Sequence, residues 1–251
     1  MPQDRRDLPD VPLWKAEEWP HYLDLLALQH GERLLDVGCD VGGFCRLAAA
    51  RLGSAGRAIG VDPSARALAG ASARQANRQI AYLVRGDGHD LPFADRSFDV
   101  VASLETVEYL HNPSRFVREA YRVLRRGGRF LLVHRDYDTL IVTVANRDLA
   151  RRVVAALSDA GDDGWAGRKL RGYMVSAPWT HLETATYTPV LTSYAEAREQ
   201  YGWVDEWLAK AVLQGLLPAE DLDAWQREQQ EADAAGGYLL SLTRFICLAQ
   251  K

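Results

Sequence analysis

The stretch Leu34-Leu35-Asp36-Val37-Gly38-Cys39-Asp40-Val41-Gly42-Gly43-Phe44 constrains this chain more than any other. An apolar run carries an acid near its end, reverses through glycines and enters a helix-forming run. A strand that turns directly into a helix opens a strand–helix–strand unit, and such units build parallel sheets. Glycine permits positive φ and lets backbone approach a ligand with no β-carbon in the way. The helix behind it starts with unpaired N–H groups and a partial positive charge, which suits a carboxylate or phosphate. The segment therefore predicts a small ligand at the carboxyl end of the strand. It lacks the Gly-x-Gly-x-x-Gly spacing of a nicotinamide phosphate loop, which disfavours a nicotinamide-dependent oxidoreductase.

Alternation continues downstream. Strands are expected at 33–37, 58–61, 81–85, 98–103 and 129–134, with helices at 43–51, 64–77 and 114–124. Pro113 marks the start of the last helix, and Gly127-Gly128 ends its connection to the next strand. This rhythm predicts an α/β fold with a doubly wound, mainly parallel sheet. Residues 1–12 read as a flexible lead and 13–29 as a helix rich in aromatics, so 1–30 is expected to form a helical lid. Further on come helices at 147–160 and 169–176, a strand at 181–190, long helical runs at 194–215 and 218–235, and a last strand at 238–250. The strands number seven, and one domain, 31–251, is expected to hold them. A helical insertion at about 194–235 would roof the carboxyl edge of the sheet.

The bulk properties exclude several classes. A chain of 251 residues suits one α/β domain with elaborations. Its net charge is −4 with no basic block, which argues against nucleic acid as a partner. The apolar runs are too short or too mixed to span a bilayer, and residues 1–10 are polar, so neither a membrane segment nor a secretory signal is expected. The three cysteines, Cys39, Cys45 and Cys247, have no metal-ligand spacing. They read as small buried apolar groups in a reducing, cytoplasmic protein that needs no metal. A monomer or homodimer is expected.

Two more acids fall at strand tips. Asp62 ends Gly60-Val61-Asp62-Pro63-Ser64, about 20 residues beyond Gly42, where a carboxylate can accept both hydrogen bonds of a ribose diol. Pro63 fixes the turn and Ser64 can cap the next helix. Asp87 sits in Gly86-Asp87-Gly88-His89-Asp90-Leu91-Pro92-Phe93, where it can accept from an exocyclic adenine amine. Acids at three successive strand tips converge on the crevice where open α/β sheets bind ligands.

These motifs resemble the class I S-adenosylmethionine (SAM)-dependent methyltransferases, in particular the small-molecule branch that includes the ubiquinone and menaquinone biosynthesis enzymes. Residues 34–42 are similar to that family's first motif, 60–64 to its ribose-binding segment and 86–93 to its adenine-side segment. Residues 97–101 with Leu104-Glu105-Thr106-Val107-Glu108-Tyr109-Leu110 are similar to its fourth strand and turn, and 118–132 to its Arg-Val-Leu-x-Pro-Gly-Gly region. The resemblance spans about residues 31–134. It implies a Rossmann-like sheet, SAM as cofactor with S-adenosylhomocysteine (SAH) as product, and methyl transfer to a small organic acceptor in biosynthetic tailoring. The cofactor residues it implies are Asp36, Gly38, Cys39, Asp40, Gly42, Asp62, Pro63, Asp87, Gly88, Leu104 and Glu105. A SAM-binding protein of the same fold with cyclase, decarboxylase or regulatory function is the alternative.

The chain departs from the family at Asp40, where glycine is usual, at Arg126, where proline is common, and at Tyr109, where histidine is common. Asp40 either faces the methionine end of the cofactor or points to solvent, and aspartate tolerates the backbone shape of the second arrangement. Methyl transfer needs an in-line acceptor about 3–3.5 Å away, and a base only if the acceptor must lose a proton. His134, whose ordinary pKa lies near working pH, is the first base candidate, with Glu108 and Tyr137 after it and Asp136 beside them. His89 is expected at the surface, and His111 flanks the helix that follows it. Trp14, Trp19, Tyr22, Tyr173, Trp179 and Tyr201 are expected to line a substrate site, whereas Trp203, Trp207 and Trp225 are read as packing.

Overall fold

A computed structural model describes residues 13–74 and 81–251. The lead at 1–12 and residues 75–80, which include the end of the helix expected at 64–77, lie outside these residues, as does the side chain of Trp14. The described chain begins with α1 (Leu13–Leu26), β1 (Arg33–Val37), α2 (Gly43–Leu52), β2 (Arg57–Asp62), α3 (Ala65–Arg74) and β3 (Ala81–Arg85). It continues through β4 (Phe98–Leu104), α4 (Pro113–Val123), β5 (Leu124–Arg135), β6 (Ile141–Val142), α5 (Arg147–Ala160), α6 (Ala166–Met174), β7 (His181–Tyr187) and β8 (Val190–Leu191). The remaining elements are α7 (Tyr194–Tyr201), α8 (Trp203–Leu213), α9 (Ala219–Ala234), β9 (Leu240–Ser241) and β10 (Arg244–Gln250).

The expected seven-stranded, mainly parallel sheet is present, in the order β3-β2-β1-β4-β5-β10-β7. β1 runs parallel to β2 and β4, β2 to β3, and β4 to β5. The central strands are buried almost throughout, as their mostly apolar runs require. Strand order reverses between β1 and β4, and a crevice opens outside the carboxyl ends of strands at such a switch point.

Several boundaries differ from the sequence reading. Gly127-Gly128 lies inside β5, which leaves α4 with no intervening loop. The register against β4 jumps from the pair Phe98–Leu124 to Val100–Arg129, and Gly127, at φ +74°, absorbs the extra residues. The last expected strand is two: β9 pairs antiparallel with β6 and β8 in a separate small sheet, and β10 joins the large one. The long helix expected at 194–215 breaks at Gly202 into α7 and α8.

The chain divides into two compact units. The first comprises the described residues up to Val133 with Leu170–Ala185 and Ile246–Lys251; the second comprises His134–Lys169 and Thr186–Phe245 and includes the expected insertion. In the first, Leu34, Leu35, Val100, Val101, Phe116 and Phe130 are fully buried, each worth about 1.5–3 kcal/mol of apolar burial. Trp19 and Tyr22 belong to this core, with Trp19 edge-on to Phe44 at 5.9 Å, so the expectation that they line a substrate site is corrected. Trp179 likewise packs on Tyr121 and Phe130 and donates from Nε1 to the Met174 carbonyl at 2.7 Å.

In the second unit the apolar faces of α5, α8 and α9 meet around Val153, Leu157, Leu208 and Trp225. Trp203 and Trp207 pack on Tyr137, with centroids 5.5 and 5.4 Å away, and Tyr201 is buried. Asn146 caps α5, its side chain accepting from Asp148 and Leu149 N–H. Among the described residues no helix is long and apolar enough to cross a membrane.

Candidate cofactor site

Four strands of the first unit end at one rim, and hydrogen bonds stitch their ends together. Gly38 and Cys39 N–H, past the end of β1, donate to the Val61 carbonyl of β2 at 2.8 and 3.2 Å. Gly86 N–H, past β3, donates to the Asp62 carbonyl at 3.2 Å. Ser103 Oγ of β4 donates to the Val37 carbonyl at 2.9 Å. The glycine turn then climbs into α2 with Gly38 at φ +79° and Gly42 at φ +76°. Gly42 is the N-cap, and among the described residues no side chain caps α2, so the helix presents N–H groups suited to an anion.

Asp62 holds this rim in place. Its Oδ1 accepts from Ser64 N–H at 2.8 Å and its Oδ2 from Asp40 N–H at 3.0 Å, so one carboxylate fixes both its own turn and the glycine turn. Asp40 adopts φ +48° and its side chain is exposed, consistent with the solvent-facing arrangement. Asp36 differs from the other acids. It is 2% exposed, and its Oδ2 accepts from the Cys45 thiol at 3.4 Å, so it braces the turn from beneath. Burial and the nearby carboxylates hold the thiols of Cys39 and Cys45 well above their usual range, which keeps both protonated.

Asp87 stands beyond β3 with its side chain 61% exposed. Its Oδ1 accepts from His89 N–H at 2.9 Å and lies 2.7 Å from His89 Nδ1. The backbone hydrogen bond from His89 lowers the Asp87 pKa below the usual carboxylate range, and the His89 side chain adds to the effect. His89 is buried, which corrects its expected place at the surface; Asp87 and the Asn112 N–H partner its two ring nitrogens. His111 is exposed and stacks on it at 3.9 Å, while Asn112 rather than His111 caps α4.

The loop beyond Asp87 is gripped from α4. Glu119 accepts from Leu91 N–H, and Arg122 donates to Glu119, to the Leu91 and Phe93 carbonyls and to Asp95. Arg122→Met is expected to cost about 1.5–3 kcal/mol of stability, since it strips several partners of a charged donor. Hydrogen bonding to Arg122 is what lowers the Glu119 pKa. The stabilisation is complete above the ordinary value of 4.5 and is lost as pH falls through the lower folded value. Thermal melts across acid pH are expected to show this loss in the native chain and a smaller one in the variant.

Of the remaining expected site residues, Pro63 is exposed, Gly88 is buried, Leu104 ends β4 and Glu105 follows it. Glu105 takes φ +56° and donates its N–H to the Val133 carbonyl at 3.0 Å. Glu108 lies on a single 3-10 turn and is 8% exposed. His134 and Tyr137 belong to the second unit and are 0% and 1% exposed, with His134 Nδ1 2.9 Å from the Arg135 carbonyl. Asp136, also sealed, is held by the Arg168 guanidinium. The sequence reading missed the supporting residues Cys45, Ser103, Thr106, Glu119 and Arg122. Asp-x-His at a turn was the one local signal for His89.

Residues 35–132 match the family described as the methyltransferase domain. With the sheet order and the rim above, this segment is similar to the class I SAM-dependent methyltransferases. An uncharacterised 37.1 kDa protein from a Streptomyces fradiae transposon is 29% identical over 91% of this chain and 65% of its own length. A 2-phytyl-1,4-naphtoquinone methyltransferase of Synechococcus elongatus is 36% identical over 57% of this chain and 62% of its own length. The chain thus spans less than two thirds of either relative. A crystal structure of a candidate methyltransferase from Bacillus halodurans C-125 shares the fold at TM-score 0.64 and 21% identity, over 94% of this chain and 99% of that one.

Proposed function

We propose that this protein transfers a methyl group from SAM to a small organic acceptor in biosynthetic tailoring. The observation that carries the reading is the rim itself: Asp62 and Asp87 at adjacent strand ends, beside a helix whose start no side chain caps. The cofactor supplies, when bound, an electrophilic methyl on a sulfonium. Asp62 would take the ribose hydroxyls, Asp87 the adenine amine, and the N–H groups at the start of α2 the carboxylate. Gly38, Cys39, Asp40, Gly42, Pro63, Gly88, Leu104 and Glu105 shape the rim around them, with Asp36 beneath.

For the acceptor side, kinship with quinone methyltransferases favours a hydroxylated or carbon-nucleophile ring over a macromolecule. The base candidates His134, Glu108 and Tyr137 are each at most 8% exposed. Positioning of the acceptor supplies most of the rate. The test is SAH release from SAM with a panel of phenols, quinols and amines. Release with one class supports the reading. Tight SAH binding with no release from any class, or from a cell extract, would instead favour a SAM-binding protein that does not methylate.

A further inference from the structure

We propose that His89 is a positioning residue of the cofactor site, locked in one tautomer so that it aims Asp87 at the adenine amine; this rests on the SAM-binding reading. The backbone N–H of Asn112 can only donate, so His89 Nε2, 3.3 Å away, accepts and carries no proton. The ring proton of the neutral imidazole is then on Nδ1, 2.7 Å from Asp87 Oδ1, which accepts it. Both His89 donors, ring and backbone, converge on that one oxygen. Asp87 is thereby oriented with its side chain still 61% exposed and acceptor capacity left for an incoming N–H donor.

The imidazole is itself clamped, 6% exposed at the side chain and stacked on His111 with centroids 3.9 Å apart. Its partner on the other side, Asn112, is the N-cap that starts α4. Any buried imidazole needs partners for its nitrogens, and what distinguishes this one is which partners it has. Here a donor meets an acceptor at both, and the chain from α4 through the ring to the acid ends on an outward-facing carboxylate. Pre-set acceptors of this kind discriminate strongly between ligands that do and do not carry the matching donor.

The test is calorimetric binding of two probes, SAH and its counterpart with hydrogen in place of the adenine amino group. Native protein is expected to prefer SAH by about 10-fold or more, the worth of one charge-assisted hydrogen bond. In His89→Leu the preference should collapse to within about threefold, while His89→Asn, which keeps a donor toward Asp87, should retain most of it. A merely structural role would weaken both probes equally and leave the ratio unchanged, which would overturn the proposal. Absence of SAH binding by native protein would instead overturn the SAM-binding reading beneath it. Nitrogen-15 spectra of the native histidines give a check that needs no variant: an Nδ1–H tautomer is expected for His89, and an Nε2–H tautomer would contradict it.

Discussion

Asp62→Ala is expected to weaken SAH binding by about 2–4 kcal/mol, roughly 30- to 1,000-fold. Two losses combine. The ribose hydroxyls lose a charged acceptor, and each such bond is worth about 1.5–3 kcal/mol. The Ser64 and Asp40 N–H groups lose theirs as well, so the ends of β2 and of the glycine turn are no longer tied to each other. Asp62→Asn keeps one acceptor oxygen and should fall between native and alanine. Calorimetry that found the alanine variant binding SAH with native affinity would remove Asp62 from the site.

Gly38→Ala should be the most damaging single methyl in the first unit. Gly38 sits at φ +79°, where an L-residue costs about 1–2 kcal/mol. The added carbon would lie 2.1 Å from Thr106 Oγ1 and 2.6 Å from its Cγ2. Thr106 cannot swing away cheaply, because its hydroxyl bonds the Leu104 carbonyl at 3.2 Å and reaches the Val37 carbonyl at 3.4 Å. Overpacking of this kind adds about 1–3 kcal/mol. The sum, about 2–5 kcal/mol, should lower Tm by about 4–20 °C for a chain of this size. Adding Thr106→Ala should recover the steric part and leave the backbone part. A Tm within about 2 °C of native for the single variant would mean that the turn does not hold this shape.

The sheet was legible because its signals are local. Mostly apolar runs at 33–37 and 98–104 announce buried parallel strands, and the glycines after Val37 announce the reversal. The acids Asp62 and Asp87 were readable from their places at strand tips. What escaped depends on tertiary neighbours. Gly127-Gly128 reads as a turn, yet the pairing of β5 with β4 absorbs it as a bulge. Asp36 shares the strand-tip pattern of Asp62, but the burial of β1 turns its carboxylate onto Cys45. Trp19 and Tyr22 read as a surface excess of aromatics until Phe44 of α2 is placed beneath Trp19. His89 reads as one more polar loop residue, and only α4 supplies the second partner that buries it.

A crystal structure of the chain grown with SAH tests the central claim most directly. The account predicts the adenosine lying across the ends of β1 to β4, its ribose diol on Asp62 and its amine on Asp87, with the amino-acid end at the start of α2. Density for SAH at any other place on the molecule, or crystals from saturating SAH that hold none, would contradict it.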